Sequence, residues 1–147
     1  MSEPIFVDTN VLVYARDLAV PDKQRAAALW LEHLWEVGAG RVSFQVLHEF
    51  YVTVTRKLNP GLSRAEARDD VRTLFAWQPV MADRIVIEAA WTLQERYDLS
   101  WWDALIVAAA SRAGCRLLLT EDFQEGQELG GVRITNPFTV RPADLQA

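Results

Sequence analysis

Four acidic side chains lie beside or inside apolar segments of the sequence. Asp8 follows the apolar run at 5–7, Asp122 comes shortly after another such run, and Glu49 and Asp103 interrupt segments that are otherwise apolar. Carboxylates that are gathered and partly buried repel one another unless protons or cations neutralise them. Their oxygen ligands suit Mg²⁺ or Mn²⁺, which can activate a water molecule for phosphodiester hydrolysis. Taken together, the four acids predict a divalent-metal site.

Each acid also has a structural explanation that the sequence leaves open. Asp8 or Asn10 could cap a short helix, and Asp103 could be the third residue of a capping box. Glu49 could be a solvated helical residue, and Asp122 could be a turn residue. The metal site is favoured because it explains the four acids as one set.

The elements predicted around these acids bring them toward one edge of a sheet. Short apolar strands separated by helices are typical of βαβ units, which form a parallel sheet with helices on both faces. Ligands of such sheets bind outside the carboxyl ends of the strands. All four acids could face that edge, with Asn10 and either Thr120 or Ser100 holding the carboxylates in place.

The predicted elements begin and end at residues with known preferences. Ser63 with Glu66, and Ser100 with Asp103, form capping-box pairs, and Gly38 ends a helix. The helix that carries Asp103 is apolar on almost all sides, so it is expected to be largely buried. Predicted strands cover 5–7, 41–44, 79–81, 116–120 and 130–135, and predicted helices cover about 22–37, 44–58, 64–77, 84–97 and 101–113.

The composition fits one domain over residues 1–147. Half of the residues are hydrophobic and 24% are charged, which is enough apolar material for a full core. No apolar run approaches the roughly 20 residues of a membrane span, and the start lacks the basic segment of a signal peptide, so we expect a cytoplasmic protein with no membrane partner. Cys115, the single cysteine, is expected in the core, and two histidines are too few and too scattered to suggest zinc.

The net charge of −5 argues only weakly against a nucleic-acid partner. If several acids hold cations in one pocket, they lower the net charge of the chain without opposing nucleic-acid binding once the metal is bound.

Four stretches of the chain carry a resemblance to a known family. They are "FVDTNVLVYA" at 6–15, "SFQVLHEFYVTVTRK" at 43–57, "LSWWDALIVAAASRAGC" at 99–115 and "LLTEDFQEGQELGGVRITNPF" at 118–138. In these stretches the sequence resembles the PIN-domain family, specifically the VapC-type ribonuclease toxins of prokaryotic toxin–antitoxin pairs. The stretches follow the order and spacing of the family and together cover nearly the whole chain.

The resemblance implies a three-layer α/β/α sandwich around a mostly parallel sheet and an endoribonuclease that depends on Mg²⁺ or Mn²⁺. Transferred to this chain, the acids of the site, which we call the acidic site, are Asp8, Glu49, Asp103 and Asp122. Asn10 and Thr120 match the supporting polar positions. Glu121 could replace or join Asp122, although the step of the motif favours Asp122. The resemblance further implies an RNA substrate, a cognate antitoxin and a homodimer.

Two surfaces could serve these partners. Arg56 and Lys57 end the helix of Glu49, and Arg64, Arg68 and Arg72 share one face of the next helix, where they could contact RNA phosphates or form a solvated stripe paired with nearby acids. The helix at 22–37 has an apolar face that is broader than one core stripe needs, part of which could bind a partner. Its residues are Trp30, Leu31, Leu34 and Trp35.

Three other functions compete with the toxin. The same fold could process or degrade RNA without a toxin role, and the sequence does not separate these two. A phosphatase with Asp8 as nucleophile would need a second aspartate where the chain has Asn10, together with a lysine near the site. A binding module without catalysis would keep a costly cluster of charges to no purpose.

Overall fold

The computed structural model describes residues 2–146 and forms a five-stranded sheet with six α-helices. The strands are β1 (Ile5–Val7), β2 (Gly40–Arg41), β3 (Leu117–Leu119), β4 (Glu128–Leu129) and β5 (Val132–Thr135). The helices are α1 (Thr9–Tyr14), α2 (Pro21–Val37), α3 (Phe44–Arg56), α4 (Arg64–Leu74), α5 (Arg84–Tyr97) and α6 (Trp101–Arg112). Phe75–Trp77 and Pro142–Gln146 form 3₁₀ turns.

The sheet has the strand order β2-β1-β3-β5-β4. β1 pairs in parallel with β2 and β3, β3 pairs in parallel with β5, and β4 pairs with β5 in the antiparallel sense. Helices α1 to α4 pack among themselves, while α5 packs on α6, which contacts β3 and β5. This arrangement confirms the predicted α/β sandwich around a mostly parallel sheet.

The predicted helix boundaries are confirmed where a side chain or a glycine fixes them. The Ser63 hydroxyl accepts a hydrogen bond from the Glu66 backbone, and the Glu66 side chain accepts one from the Ser63 backbone. The Ser100 hydroxyl likewise accepts the backbone N–H of Asp103. Gly38 ends α2 in a left-handed conformation (φ 68°), which glycine adopts without steric cost.

The sheet differs from its prediction in two places. The segments predicted as strands at 41–44 and 79–81 are reduced to β2 and to a single parallel bridge between Ser43 and Val80. Of the strand predicted at 130–135, residues 132–135 form β5, while Gly130 and Gly131 have positive φ and turn the chain between β5 and the additional strand β4.

The core is continuous from the sheet into both groups of helices. Residues 104–110 of α6 are all buried, as its all-round apolar sequence predicted, and Cys115 is buried as expected. On α2, Trp30 and Leu34 are buried in the core, while Trp35 packs on Trp77 but stays 39% exposed, so only part of this apolar face belongs to the core. Among residues 2–146, no helix is long and apolar enough to cross a membrane.

The edge strand β2 depends on a close approach between Gly40 and the buried ring of Trp77, since a Cβ on Gly40 would overlap the indole. We expect Gly40→Ala to lower the free energy of unfolding by about 1–3 kcal/mol, the usual cost of overpacking a core. Urea denaturation would measure it. In the background of Trp77→Leu, where the ring is absent, the same change is expected to cost much less. Equal costs in the two backgrounds would contradict the contact.

Candidate active site

The chain delivers Asp8 to the carboxyl edge of the sheet, where β1 ends and α1 begins. Asp8 is the N-cap of α1, and its Oδ1 accepts the backbone N–H of Thr9 at 2.7 Å. Its side chain is buried, with 6% of the residue exposed. The cap explanation and the site explanation are therefore compatible, because one oxygen caps the helix and the other faces the neighbouring strand.

Thr120, just beyond β3, connects Asp8 to the second half of the site. Its hydroxyl donates to Asp8 Oδ2 at 2.9 Å and accepts from the Asn10 amide (2.9 Å) and from the backbone N–H of Asp122 (3.1 Å). One donor and two acceptor positions are all that a hydroxyl offers, so Thr120 is fully satisfied. This buried side chain therefore fixes Asp8, Asn10 and the 120–122 turn relative to one another.

Asn10 holds the 120–122 turn from the opposite side. Its Nδ2 donates to Asp122 Oδ2 at 3.1 Å, and its Oδ1 accepts the backbone N–H of Glu121 at 3.3 Å. Asp122 is thereby directed toward Asp8. Glu121 points elsewhere, because its carboxylate pairs with Lys23 at 2.7 Å. Of the two acids in the "TED" motif, the geometry favours Asp122.

Glu49 reaches the same edge from α3. The Thr9 hydroxyl donates to Glu49 Oε1 at 2.7 Å, and Gln45 Nε2 lies 3.4 Å from the other carboxylate oxygen. Because Thr9 directly follows Asp8, this bond holds the two acids near each other even though Glu49 is exposed. The raised pKa of Asp8 reflects the negative charge of Glu49 as well.

Asp103 lies in the first turn of α6 and is partly buried. Because α6 ends just before β3 begins and packs against β3 and β5, the topology directs its first turn toward the carboxyl edge. Within the described chain, no hydrogen bond or ion pair joins the Asp103 side chain to the other three acids. Its membership of the acidic site therefore stays a prediction.

Burial dominates the electrostatics of Asp8. Desolvation, together with the charges of Asp122 and Glu49, raises the pKa of the Asp8 carboxyl to about 7, although hydrogen bonds from Thr9 and Thr120 oppose the change. A carboxyl with such a pKa is one that a bound cation would help to ionise.

The donor set fits a hard divalent cation in its chemistry. Asp8, Glu49 and Asp122 offer only oxygen, and in residues 2–146 no basic side chain bonds to any of them. The spacing is looser than a formed metal site, since among the described residues no three histidine, cysteine or acidic side chains are close enough to hold an ion.

The predicted basic residues are exposed. Arg56 and Lys57 lie at the end of α3, and Arg64 and Arg68 lie on α4. Arg72 pairs with Asp69 on the same helix, as expected if these arginines form a solvated stripe paired with nearby acids. In the part of the chain that the structure describes, Arg64 and Arg68 form no ion pair, so their charges are free for an anionic partner.

Sequence reasoning missed two groups at the site, Thr9 and Lys23. Thr9 had no distinguishing signal beyond its place between Asp8 and Asn10. Lys23 is 98 positions from Glu121 in the chain, and only the fold brings the two together.

Comparisons with known proteins agree with this architecture. The family model for the PIN domain matches residues 5–124. Among solved structures, a toxin–antitoxin complex from Klebsiella pneumoniae is 17% identical, with a TM-score of 0.63, and covers 92% of this chain and 98% of that one. FitAcB from Neisseria gonorrhoeae is 18% identical, with a TM-score of 0.64, and covers 92% and 99%.

A third solved structure is VapC20 of Mycobacterium tuberculosis, described as a sarcin–ricin loop cleaving toxin. It is 23% identical, with a TM-score of 0.62, and covers 88% of this chain and 98% of that one. At these identities the similarity shows a shared fold. No curated protein matches the sequence significantly.

The pKa of Asp8 makes the stability of the metal-free protein depend on pH. Because the folded carboxyl has a pKa of about 7 against an ordinary value of 3.8, the folded state binds more protons between these values, and stability falls as pH rises through that range. In chelator, we expect the wild type to lose on the order of 2–3 kcal/mol relative to Asp8→Asn between pH 5 and pH 8. Parallel curves from urea denaturation of the two proteins would contradict the buried, proton-binding carboxyl.

Proposed function

This chain belongs to the PIN-domain family, and we propose that it is a divalent-metal-dependent endoribonuclease that acts as the toxin of a toxin–antitoxin pair. The observation that carries the proposal is the hydrogen-bonded set of Asp8, Asn10, Thr120 and Asp122, with Glu49 tied to it through Thr9. The carboxylates of this set lie at the carboxyl edge of a parallel sheet, where ligands of such folds bind.

Mg²⁺ or Mn²⁺ is the proposed cofactor, with Asp8, Glu49, Asp103 and Asp122 as the residues that would hold it. When bound, the ion supplies an activated water and a positive charge for hydrolysis of an RNA phosphodiester. Asp8, buried and anchored by Thr120, orients its free lone pairs toward the edge of the sheet. The Asn10 amide donates to Asp122 and would orient this carboxylate toward the ion.

The substrate proposed for this site is RNA in a single-stranded or loop conformation, because bases are exposed there. Arg64 and Arg68 on α4, with Arg56 and Lys57 at the end of α3, would contact its phosphates. Glu49 lies on α3, which Arg56 ends and Lys57 caps, so one helix carries an acid of the proposed site and basic residues at its end. One solved protein of this fold is described as a sarcin–ricin loop cleaving toxin, which is in keeping with such a substrate.

The proposed protein partners are a cognate antitoxin and a second copy of the chain. A groove between α3 and α4 exposes Val52 and Phe75 beside Arg68, and it suits an antitoxin segment that combines apolar and acidic residues. Solved proteins of this fold include toxin–antitoxin complexes. On α5 and α6, the exposed Trp91 and Trp102 offer apolar surface for a homodimer.

RNA processing or decay without a toxin role is the alternative function. The same site and chemistry serve both roles, and the toxin is favoured because solved structures of this fold include a toxin–antitoxin complex and a toxin. An antitoxin gene adjacent to the gene for this chain would support the toxin.

Cleavage of RNA by the purified protein tests the catalytic proposal. With Mg²⁺ or Mn²⁺ we expect cleavage that leaves 5′-phosphate and 3′-hydroxyl ends and that stops in chelator. Asp8→Ala and Asp103→Asn are expected to lower the rate by roughly 100-fold or more, because each removes a proposed metal ligand. Glu88→Gln, on an exposed acid of α5, is the matched control and should cleave like the wild type. Equal activity in all four proteins, or activity in chelator, would sink the proposal.

The toxin role has its own readout. Expression of the wild type without an antitoxin is expected to arrest growth, and Asp8→Ala should relieve the arrest. Growth arrest that persists in this variant would mean that catalysis is not its cause.

A further inference from the structure

We propose that Lys23 is a positioning residue that keeps the Glu121 carboxylate out of the acidic site, so that Asp122 is the one acid of the 120–122 turn that faces Asn10. The inference rests on the proposed metal-dependent function. It assigns a role to the Lys23 ammonium, which only the fold brings near the site. It also explains how the adjacent acids Glu121 and Asp122 acquire different roles.

Lys23 is held by several contacts at once. Its ammonium lies 2.7 Å from Glu121 Oε2 and 3.4 Å from the Tyr14 hydroxyl. The same nitrogen lies 4.7 Å from the ring centre of Tyr14 and 5.1 Å from that of Phe138. The two rings pack edge to face, with centres 5.2 Å apart. Aromatic faces attract a cation, so this pair fixes the position of the charge.

Asn10 and Lys23 therefore bind different groups of the 120–122 turn. Asn10 accepts a hydrogen bond from the Glu121 backbone N–H and donates one to the Asp122 carboxylate. Lys23 forms an ion pair with the Glu121 carboxylate. The backbone and the side chain of Glu121 thus have different partners. Because the carboxylate is paired with Lys23, it is not directed toward Asp8.

The contribution of this ion pair lies in charge more than in stability. The Lys23 and Glu121 side chains are 36% and 22% exposed, and pairs in contact with water add little to the stability of a fold. The hydrogen bond from Lys23 to Glu121 raises the pKa of Lys23, so the ammonium stays charged, and a hydrogen bond to Glu121 raises the pKa of Tyr14, so its hydroxyl stays neutral. The cluster balances the charge of Glu121.

Loss of Lys23 would release an additional carboxylate one residue from Asp122. The number of charged ligands is one of the quantities that set the affinity of an oxygen site for a divalent cation. A released Glu121 should therefore tighten metal binding while disturbing the geometry that Asn10 and Thr120 impose. A purely structural tie between α2 and the turn would instead leave the affinity unchanged or weaken it.

Binding of Mn²⁺, measured by titration calorimetry on the full chain, tests the inference. Lys23→Met removes the charge and keeps an apolar stem of similar length, and we expect it to bind Mn²⁺ tighter by on the order of 10-fold, the effect of one added nearby charge. Lys23→Met combined with Glu121→Gln should return to within about threefold of the wild type, since the two charges leave together. Lys23→Gln, a second neutral substitution, should behave like Lys23→Met, and thermal melting should establish that each variant is folded.

Three results would overturn the inference. Unchanged or weaker Mn²⁺ binding in both Lys23 variants, with normal binding by the wild type, would contradict the role of Lys23 and leave the proposed function intact. Loss of binding in the double variant, to the extent seen in Asp122→Asn, would make Glu121 a ligand. Absence of Mn²⁺ binding by the wild type would contradict the proposed function and, with it, this inference.

Discussion

Burial of the Asp8 carboxylate is the constraint on which the rest of the site depends. A carboxylate in an apolar interior is costly unless hydrogen bonds or a cation compensate it. Here Thr9 bonds one of its oxygens and Thr120 bonds the other, so β1, α1 and the end of β3 must meet at one point. The parallel pairing of Val7 with Leu119 in the sheet provides that meeting point.

The same constraint organises the charges around Asp8. Asp122 and Glu49 are near enough to raise its pKa, yet each is held by a neutral donor, Asn10 and Thr9 respectively. Lys23, which lies beside the 120–122 turn, is paired with Glu121. Asp8, Glu49 and Asp122 contribute to the net charge of −5 without a basic partner of their own in residues 2–146.

The sequence predicts an element of this structure well where the contacts that fix it lie within a few residues of it in the chain. The end of α2 at Gly38 and the start of α4 at Ser63 depend on contacts within a few residues, and both were predicted. The strand β4, which precedes the paired glycines Gly130 and Gly131, was not predicted, because a strand of two residues carries almost no sequence pattern. The edge strand β2 was overestimated, since its length depends on partners far away in the chain.

The acidic site divides in the same way. Strand ends and the motif led to the prediction of Asp8 and Asp122. No local pattern links the "TED" motif to Lys23, which the fold places against Glu121. Asp103 is predicted by its motif and its place on α6, and the contacts of its side chain do not yet join it to Asp8.

Anomalous X-ray scattering from crystals grown with Mn²⁺ tests the central claim most directly, because it locates the ion without reference to activity. We predict a peak bonded to a carboxylate oxygen of Asp8, with Asp122 and Asp103 as further ligands, directly or through water. A peak elsewhere in the molecule, or no peak while Asp8 keeps its bonds to Thr9 and Thr120, would contradict the claim that this buried carboxylate is the centre of a metal site.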